Sequence, residues 1–287
     1  MLPSVIMMST DIQLASVIMM STDILLPSVR SACLTLPHEL RGRPDRFGSD
    51  SKVEFGSGPV KKTMTFTIEK EVFGEDRTTF VLHEDITQFA GMEEIGATVV
   101  AVYMRCLFDS LKAANMVNMV GFIDPALVSA NVGSLTERSR VVASRLQKTY
   151  GEQIFLMPYN LGLVSLTGFC LYDALHINCL TFIFILCNRH WVLIIVRAKK
   201  ETVYFLDPLP KNRVEDEDGK NIVNSALKMY NTHIGRVGHK APLWKTLSGT
   251  PKQPSSVECG YYVMHFMRDI ILDPSLEFEK MFAKGKD

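Results

Sequence analysis

Neither sign of charge is in excess in this 287-residue chain: 31 Lys and Arg balance 31 Asp and Glu, for a formal net charge of zero. A protein that grips phosphate backbones carries a basic surplus, so no nucleic-acid partner is expected. Cys-x-x-Cys pairs are also missing. The six cysteines, at positions 33, 106, 170, 179, 187 and 259, form neither a zinc knuckle nor a disulfide framework. Thiols left single in this way point to a reducing, intracellular compartment. His233, His239 and His265 lack metal-ligand spacing to any second residue, so neither metal nor cofactor is expected. The start has no basic n-region, and Asp11 and Asp23 interrupt its apolar run, which argues against a signal peptide. No strongly apolar run reaches the roughly 20 residues of a membrane-spanning helix, and no membrane partner is expected.

What is present is enough apolar residue, 47% against 22% charged, to bury a full-sized core. The expectation is one domain of about 200 residues, acting as a monomer, behind an extension. Ser4-Val-Ile-Met-Met-Ser-Thr-Asp-Ile12 recurs as Ser16-Val-Ile-Met-Met-Ser-Thr-Asp-Ile24, a local duplication and not a solenoid. It leads into a Gly-, Arg-, Lys- and Asp-rich stretch at 41–62, so residues 1–62 are expected to be a disordered extension and 63–287 the folded domain. Met64-Thr-Phe-Thr-Ile and Thr79-Phe-Val-Leu-His alternate like paired strands. Residues 96–112 carry a broad apolar helical face, with Val99, Val102 and Tyr103 as core. A short helix is expected over 222–230 and a strand over 242–247. The acidic run Glu215-Asp-Glu-Asp218 reads as a solvated loop.

The run Gln253-Pro-Ser-Ser-Val-Glu-Cys259-Gly-Tyr-Tyr-Val-Met-His-Phe-Met places a cysteine where a loop becomes an apolar helix. Unsatisfied N–H groups and the positive end of the dipole at such a terminus favour thiolate. Gly260 next to it leaves room for substrate to reach the backbone. His265 falls off the helical face of Cys259 and cannot serve as its base. The base is sought upstream, where Asn188-Arg-His190-Trp-Val-Leu-Ile-Ile-Val-Arg197 and Thr202-Val-Tyr-Phe-Leu-Asp207-Pro read as a hairpin. A turn centred on Ala198 and Lys199 sets His190 opposite Asp207, although Ala-Lys is a poor two-residue turn and the register can slip. Imidazole beside carboxylate is the base-and-orienter half of a triad, and Cys259 completes it. The Gln253 amide can donate to the oxyanion that forms.

In its His-Trp, following Asp, then Gln-x5-Cys-Gly at a helix start, the chain resembles the ubiquitin-like-protein-specific cysteine proteases. These are the SUMO (sentrin) protease family, and the likeness is greatest to plant members often carried by transposons. The resemblance is tight over 189–271 and looser from about residue 73, roughly two thirds of the chain. It implies an α/β (α+β) fold of the papain-like and adenoviral-protease kind, with a central mixed sheet and a helix-borne nucleophile. It further implies His190 as general base, Asp207 as orienter, Cys259 as nucleophile, Gln253 as oxyanion donor, and Trp191 lining a tunnel for a Gly-Gly tail. The implied partner is a SUMO-type ubiquitin-like modifier and its conjugates.

Two departures accompany the likeness. The family's Trp-containing lead-in is replaced by Glu94-Ile-Gly-Ala97, which removes one wall of the tunnel. Pro158-Tyr-Asn-Leu-Gly162, which in plant members runs almost directly into His-Trp, is here separated from His190 by an apolar, aperiodic insert over 163–189. An unspliced intron read in frame accounts for its position. The departures keep a second class open, a catalytically impaired module that still binds a modifier or partner. Acyl transfer, as in bacterial effector acetyltransferases with the same His, acid, Cys order, lacks a basic surface for an acidic cosubstrate.

Overall fold

The computed structural model describes residues 63–148, 152–162, 190–209, 217–236, 241–254 and 257–283. The duplicated extension, the insert 163–189, His239 and residues 215–216 of the acidic run lie outside them. Strands β1 (Met64–Ile68) and β2 (Arg77–Val81) pair antiparallel as their alternation predicts, burying Phe66, Ile68 and Val81 and turning Thr65, Thr67 and Phe80 outward. β2 begins and ends two residues earlier than the alternation suggests, because helix α2 (His83–Ala90) takes over His83. A single helical turn, α1 (Lys70–Phe73), joins the two strands and ends on Gly74 at φ 94°, a conformation glycine adopts without strain.

Helix α3 (Ala97–Ala113) is the helix expected over 96–112, and Val99, Val102 and Tyr103 are buried in it as core. Strand β3 (Val120–Phe122), a turn α4 (Pro125–Val128) and helix α5 (Leu135–Gln147) follow. Ser134 and Glu137 form a capping box at the start of α5, satisfying two N–H groups that have no helical acceptor. Next come β4 (Ile154–Asn160), β5 (Trp191–Arg197), β6 (Thr202–Leu206), α6 (Glu217–His233), β7 (Leu243–Thr246), α7 (Cys259–Leu272) and α8 (Phe278–Met281). The helix expected over 222–230 is thus longer at both ends, and the strand expected near 242–247 is present.

The five-stranded sheet has the order β3-β4-β5-β6-β7, parallel at its two outer pairs and antiparallel at the two inner ones. This is the central mixed sheet the sequence implied. Its middle strands are covered on both faces, so β4 and β5 read as nearly unbroken apolar runs. Trp191, Leu193 and Ile195 face a core shared with α3 and α7, while Val192, Ile194 and Val196 face a second core under α5 and α6. Pro158 survives inside a central strand because of phase. The bond from Leu161 N–H to His190 O, at 2.9 Å, sets odd-numbered β4 residues toward β5, so the missing N–H of Pro158 falls on the side of β3, past that strand's end.

Two readings are corrected. The acidic run is not wholly a solvated loop: Asp218 lies in the first turn of α6, where it accepts from two guanidinium nitrogens of buried Arg138 (2.5 and 3.1 Å) and from the Tyr159 hydroxyl (2.6 Å). A long-range cation, invisible in local charge patterning, recruits it. The β5–β6 hairpin turns through a 3-10 segment at Ala198–Lys200 with Glu201 at φ 49°, not through Ala198 and Lys199 alone. The longer turn displaces the register by two residues, so Leu193 faces Leu206 instead of Tyr204.

Candidate active site

His190 immediately precedes β5 and Asp207 immediately follows β6, at the same end of the sheet. Extending the observed register sets His190 opposite Leu209, which leaves Asp207 as a diagonal neighbour on the same face. A slip of one residue would have put the two side chains on opposite faces, whereas a slip of two preserves the face. His190 Nε2 lies 2.8 Å from Asp207 Oδ1, with the imidazole buried and the carboxylate nearly so. A carboxylate on Nε2 selects the tautomer protonated there and leaves Nδ1 as the basic nitrogen.

Asp207 is itself held in place. Its Oδ1 also accepts from Leu209 N–H at 2.8 Å, a local turn that Pro208 favours, and its main-chain carbonyl accepts from Lys252 Nζ at 2.8 Å. One residue on, Gln253 N–H donates to Pro208 O at 2.8 Å. The loop after β7 is therefore fastened to the end of β6, and buried Gln253 is brought beside Asp207 along the backbone. Lys252 was not singled out by the sequence, since a lone lysine in a Pro- and Ser-rich loop carries no local signal.

Cys259 is the first residue of α7, as expected, and is buried. The expectation of a thiolate is not met. Burial pushes the thiol up to about 11, against the backbone N–H groups of Trp191 and Gly260, and the Glu94 carboxylate pushes it further in the same direction. Desolvation outweighs the helix terminus here because the sulfur is enclosed and not partly exposed. That the Trp191 amide acts on the sulfur puts Cys259 against the strand residue that follows His190.

Trp191 is buried, and its Nε1–H donates to Ile95 O at 3.0 Å. A Cβ added to Gly260 would lie 2.5 Å from Ile95 Cγ1 and 3.2 Å from Trp191 Cδ1. The space that glycine vacates is thus taken by Ile95, and Gly260 allows the turn before α3 to close on α7. The segment Glu94-Ile-Gly-Ala97, flagged as standing where the lead-in tryptophan would be, does come to this site. Tyr261 escaped sequence reading because it sits among apolar helix positions; the available signal was that a buried phenol must find an acceptor. His265 pairs with Asp269 one turn on, Nδ1 to Oδ2 at 3.1 Å, and takes no part.

Buried imidazole on carboxylate, a thiol at a helix start and an amide side chain on the adjoining loop form a set suited to nucleophilic acyl chemistry. Residues 170–286 match the family described as the Ulp1 protease family, C-terminal catalytic domain. Among solved structures the chain is similar to the SUMO protease Ulp1 with its catalytic cysteine oxidized to a sulfinic acid, at 15% identity and a TM-score of 0.42, covering 69% of this chain and 78% of that one. It is similar to a de-sumoylating protease at 13% identity and a TM-score of 0.49, covering 75% of each chain. It is also similar to the Xanthomonas campestris effector protein XopD bound to ubiquitin, at 13% identity and a TM-score of 0.35, covering 63% of this chain and 79% of that one. No curated protein is significantly similar to it. The matched stretch, 170–286, holds His190, Asp207, Gln253 and Cys259.

Proposed function

We propose that this chain is a cysteine-type peptidase and isopeptidase that cleaves after the C-terminal tail of a SUMO-type modifier, by a His190-Asp207-Cys259 triad. The observation that carries the reading is the 2.8 Å contact of His190 Nε2 with Asp207 Oδ1, made beside a cysteine at the start of α7. His190 Nδ1 takes the thiol proton as Sγ attacks the scissile carbonyl carbon. Asp207 stabilises the imidazolium that results. Gln253 and main-chain N–H groups receive the negative oxygen of the tetrahedral intermediate. Collapse breaks the C–N bond, the His190 proton passes to the departing amine, and a thioester remains on Cys259. Water, activated by the same imidazole, then releases the modifier's carboxylate.

Burial works against the thiolate, and the His190 base supplies the acceptor for the thiol proton as the sulfur attacks. Trp191 and Gly260 line the approach to the thiol, with Ile95 forming the wall that a tryptophan would otherwise make. The enzyme works as a monomer in a reducing nuclear or cytoplasmic compartment.

The test is labelling with SUMO and with ubiquitin, each carrying a thiol-reactive C-terminal warhead. An adduct with one of them, absent in Cys259→Ala and slowed in His190→Ala, is expected. A folded wild-type sample that forms no adduct with either would sink the protease reading and leave the impaired binding module in its place.

A further inference from the structure

We propose that Tyr261 is a positioning residue whose hydroxyl holds the turn 91–96 against the nucleophile helix and so keeps the Glu94 carboxylate beside the Cys259 thiol. The proposal rests on the reading of Cys259 as nucleophile. Tyr261 stands two residues after Cys259 and is buried. Its Oη lies 3.3 Å from Gln88 O, 3.1 Å from Phe89 O and 3.1 Å from Glu93 O. The first two oxygens belong to the last turn of α2 and also accept from Glu93 N–H (2.9 Å) and Met92 N–H (3.3 Å), so the single phenolic proton, shared among the three acceptors, adds to bonds the turn already makes. The ring stacks on Phe89, with centroids 5.4 Å apart and planes at 30°. One side chain from the nucleophile helix thus closes the end of α2 and catches the turn that leaves it.

The turn needs such a fastening. Met92 takes φ 56°, a left-handed conformation that a residue with a side chain adopts only when its surroundings demand it. After Glu94 the chain is fastened again, by the Trp191 Nε1–H bond to Ile95 O and by the Ile95 side chain seated over Gly260. Glu94 therefore sits between two anchors, both built from residues adjoining the reacting groups. The charged and titratable groups around the thiol are Glu94 from the turn, Glu258 preceding it in the chain, and His190 with Asp207 from the ends of β5 and β6. The N–H groups of Trp191 and Gly260 favour the anion, whereas Glu94 acts against it. Releasing the first anchor lets Glu94 move into solvent, where its influence on the sulfur is screened.

The test follows the Cys259 Cβ resonance against pH in protein labelled at cysteine, assigned by its loss in Cys259→Ala. Glu94→Gln is expected to lower the titration midpoint by about half a pH unit. Tyr261→Phe, which keeps the ring and removes only the hydroxyl, should lower it by a similar amount, and the double variant no further than either single one. Amide exchange across 92–96 should quicken in Tyr261→Phe and not in Glu94→Gln. Phe89→Leu, which disturbs the stacking and spares the hydroxyl, should leave the midpoint in place. A Tyr261→Phe midpoint equal to wild type, a double variant that sums the two shifts, or unaltered exchange in 92–96 overturns the proposal. None of these readings requires a modifier, so a failure of warhead labelling stays distinguishable from a failure here.

Discussion

His190 and Asp207 meet at 2.8 Å as diagonal neighbours across a hairpin, not as a directly opposed pair. The difference matters for function. A diagonal contact depends on where Asp207 is held after its strand has ended, and that is decided by Leu209 N–H, Pro208 and Lys252.

Replacing Asp207 by Ala should leave the fold intact and disable the base. Oδ1, which faces both His190 Nε2 and Leu209 N–H, is lost, so nothing holds the proton on Nε2 or stabilises the imidazolium that forms when the thiol gives up its proton. A fall in kcat of about a thousandfold to ten-thousandfold is expected with little change in KM. Hydrolysis of a fluorogenic modifier amide measures it, and a fall of less than tenfold would remove Asp207 from the triad.

Alkaline pH should destabilise the protein through its buried thiols. Burial pushes both Cys259 and Cys106 up to about 11 from 9.0. Between those values each folded thiol retains a proton that the unfolded chain has released, so stability present below pH 9 is lost as pH rises toward the folded value. The slope is about 1.4 kcal/mol per pH unit for each thiol across that window. Urea unfolding at a series of pH values should show a shallower alkaline loss for Cys106→Ala than for wild type; identical slopes would contradict it.

Gly260→Ala should be harmful for a steric reason that a second change relieves. Its Cβ falls 2.5 Å from Ile95 Cγ1, so the turn must back away from α7. Overpacking of this kind costs about 1–3 kcal/mol. Pairing it with Ile95→Ala opens the space, and the double variant should recover part of the warhead labelling rate that Gly260→Ala loses. A double variant slower than Gly260→Ala would show that the glycine serves something other than this contact.

Deleting residues 163–188 should leave the domain folded. Leu161 N–H donates to His190 O at 2.9 Å, so the chain leaves and re-enters the described structure at adjacent points. Gly162, at φ 69°, with Arg189 then forms a two-residue link between β4 and β5, and a positive φ at the first link position suits the turns that close such hairpins. The shortened chain is expected to unfold in one cooperative step and to label at Cys259 at least as fast as the full chain. Loss of cooperative unfolding would assign the insert a structural part.

Much of this was legible in local pattern. Alternation over Met64–Ile68 and the apolar face of Ala97–Ala113 each report a period that holds in one kind of element, and the unbroken β-branched run of Trp191–Arg197 reports a strand covered on both faces. The hairpin register was legible only to within two residues, because a 3-10 turn with a left-handed Glu201 has no strong sequence signature. Strand β4 was harder still: Ile-Phe-Leu-Met-Pro-Tyr-Asn has no alternation, and its proline argues against a central strand unless the length of β3 is known.

The chemistry of the site divides along the same line. Which residue types are present, and that the cysteine opens a helix while His190 and Asp207 end neighbouring strands, was determined by sequence alone, since each follows from periodicity and spacing within a few dozen residues. Whether the thiol rests charged was decided only by tertiary structure. Desolvation of Cys259, the Glu94 carboxylate brought beside it, and Ile95 filling the space over Gly260 all depend on a turn more than 150 residues away in the chain. Burial and charge add up over every neighbour in space, and no local pattern records who those neighbours are.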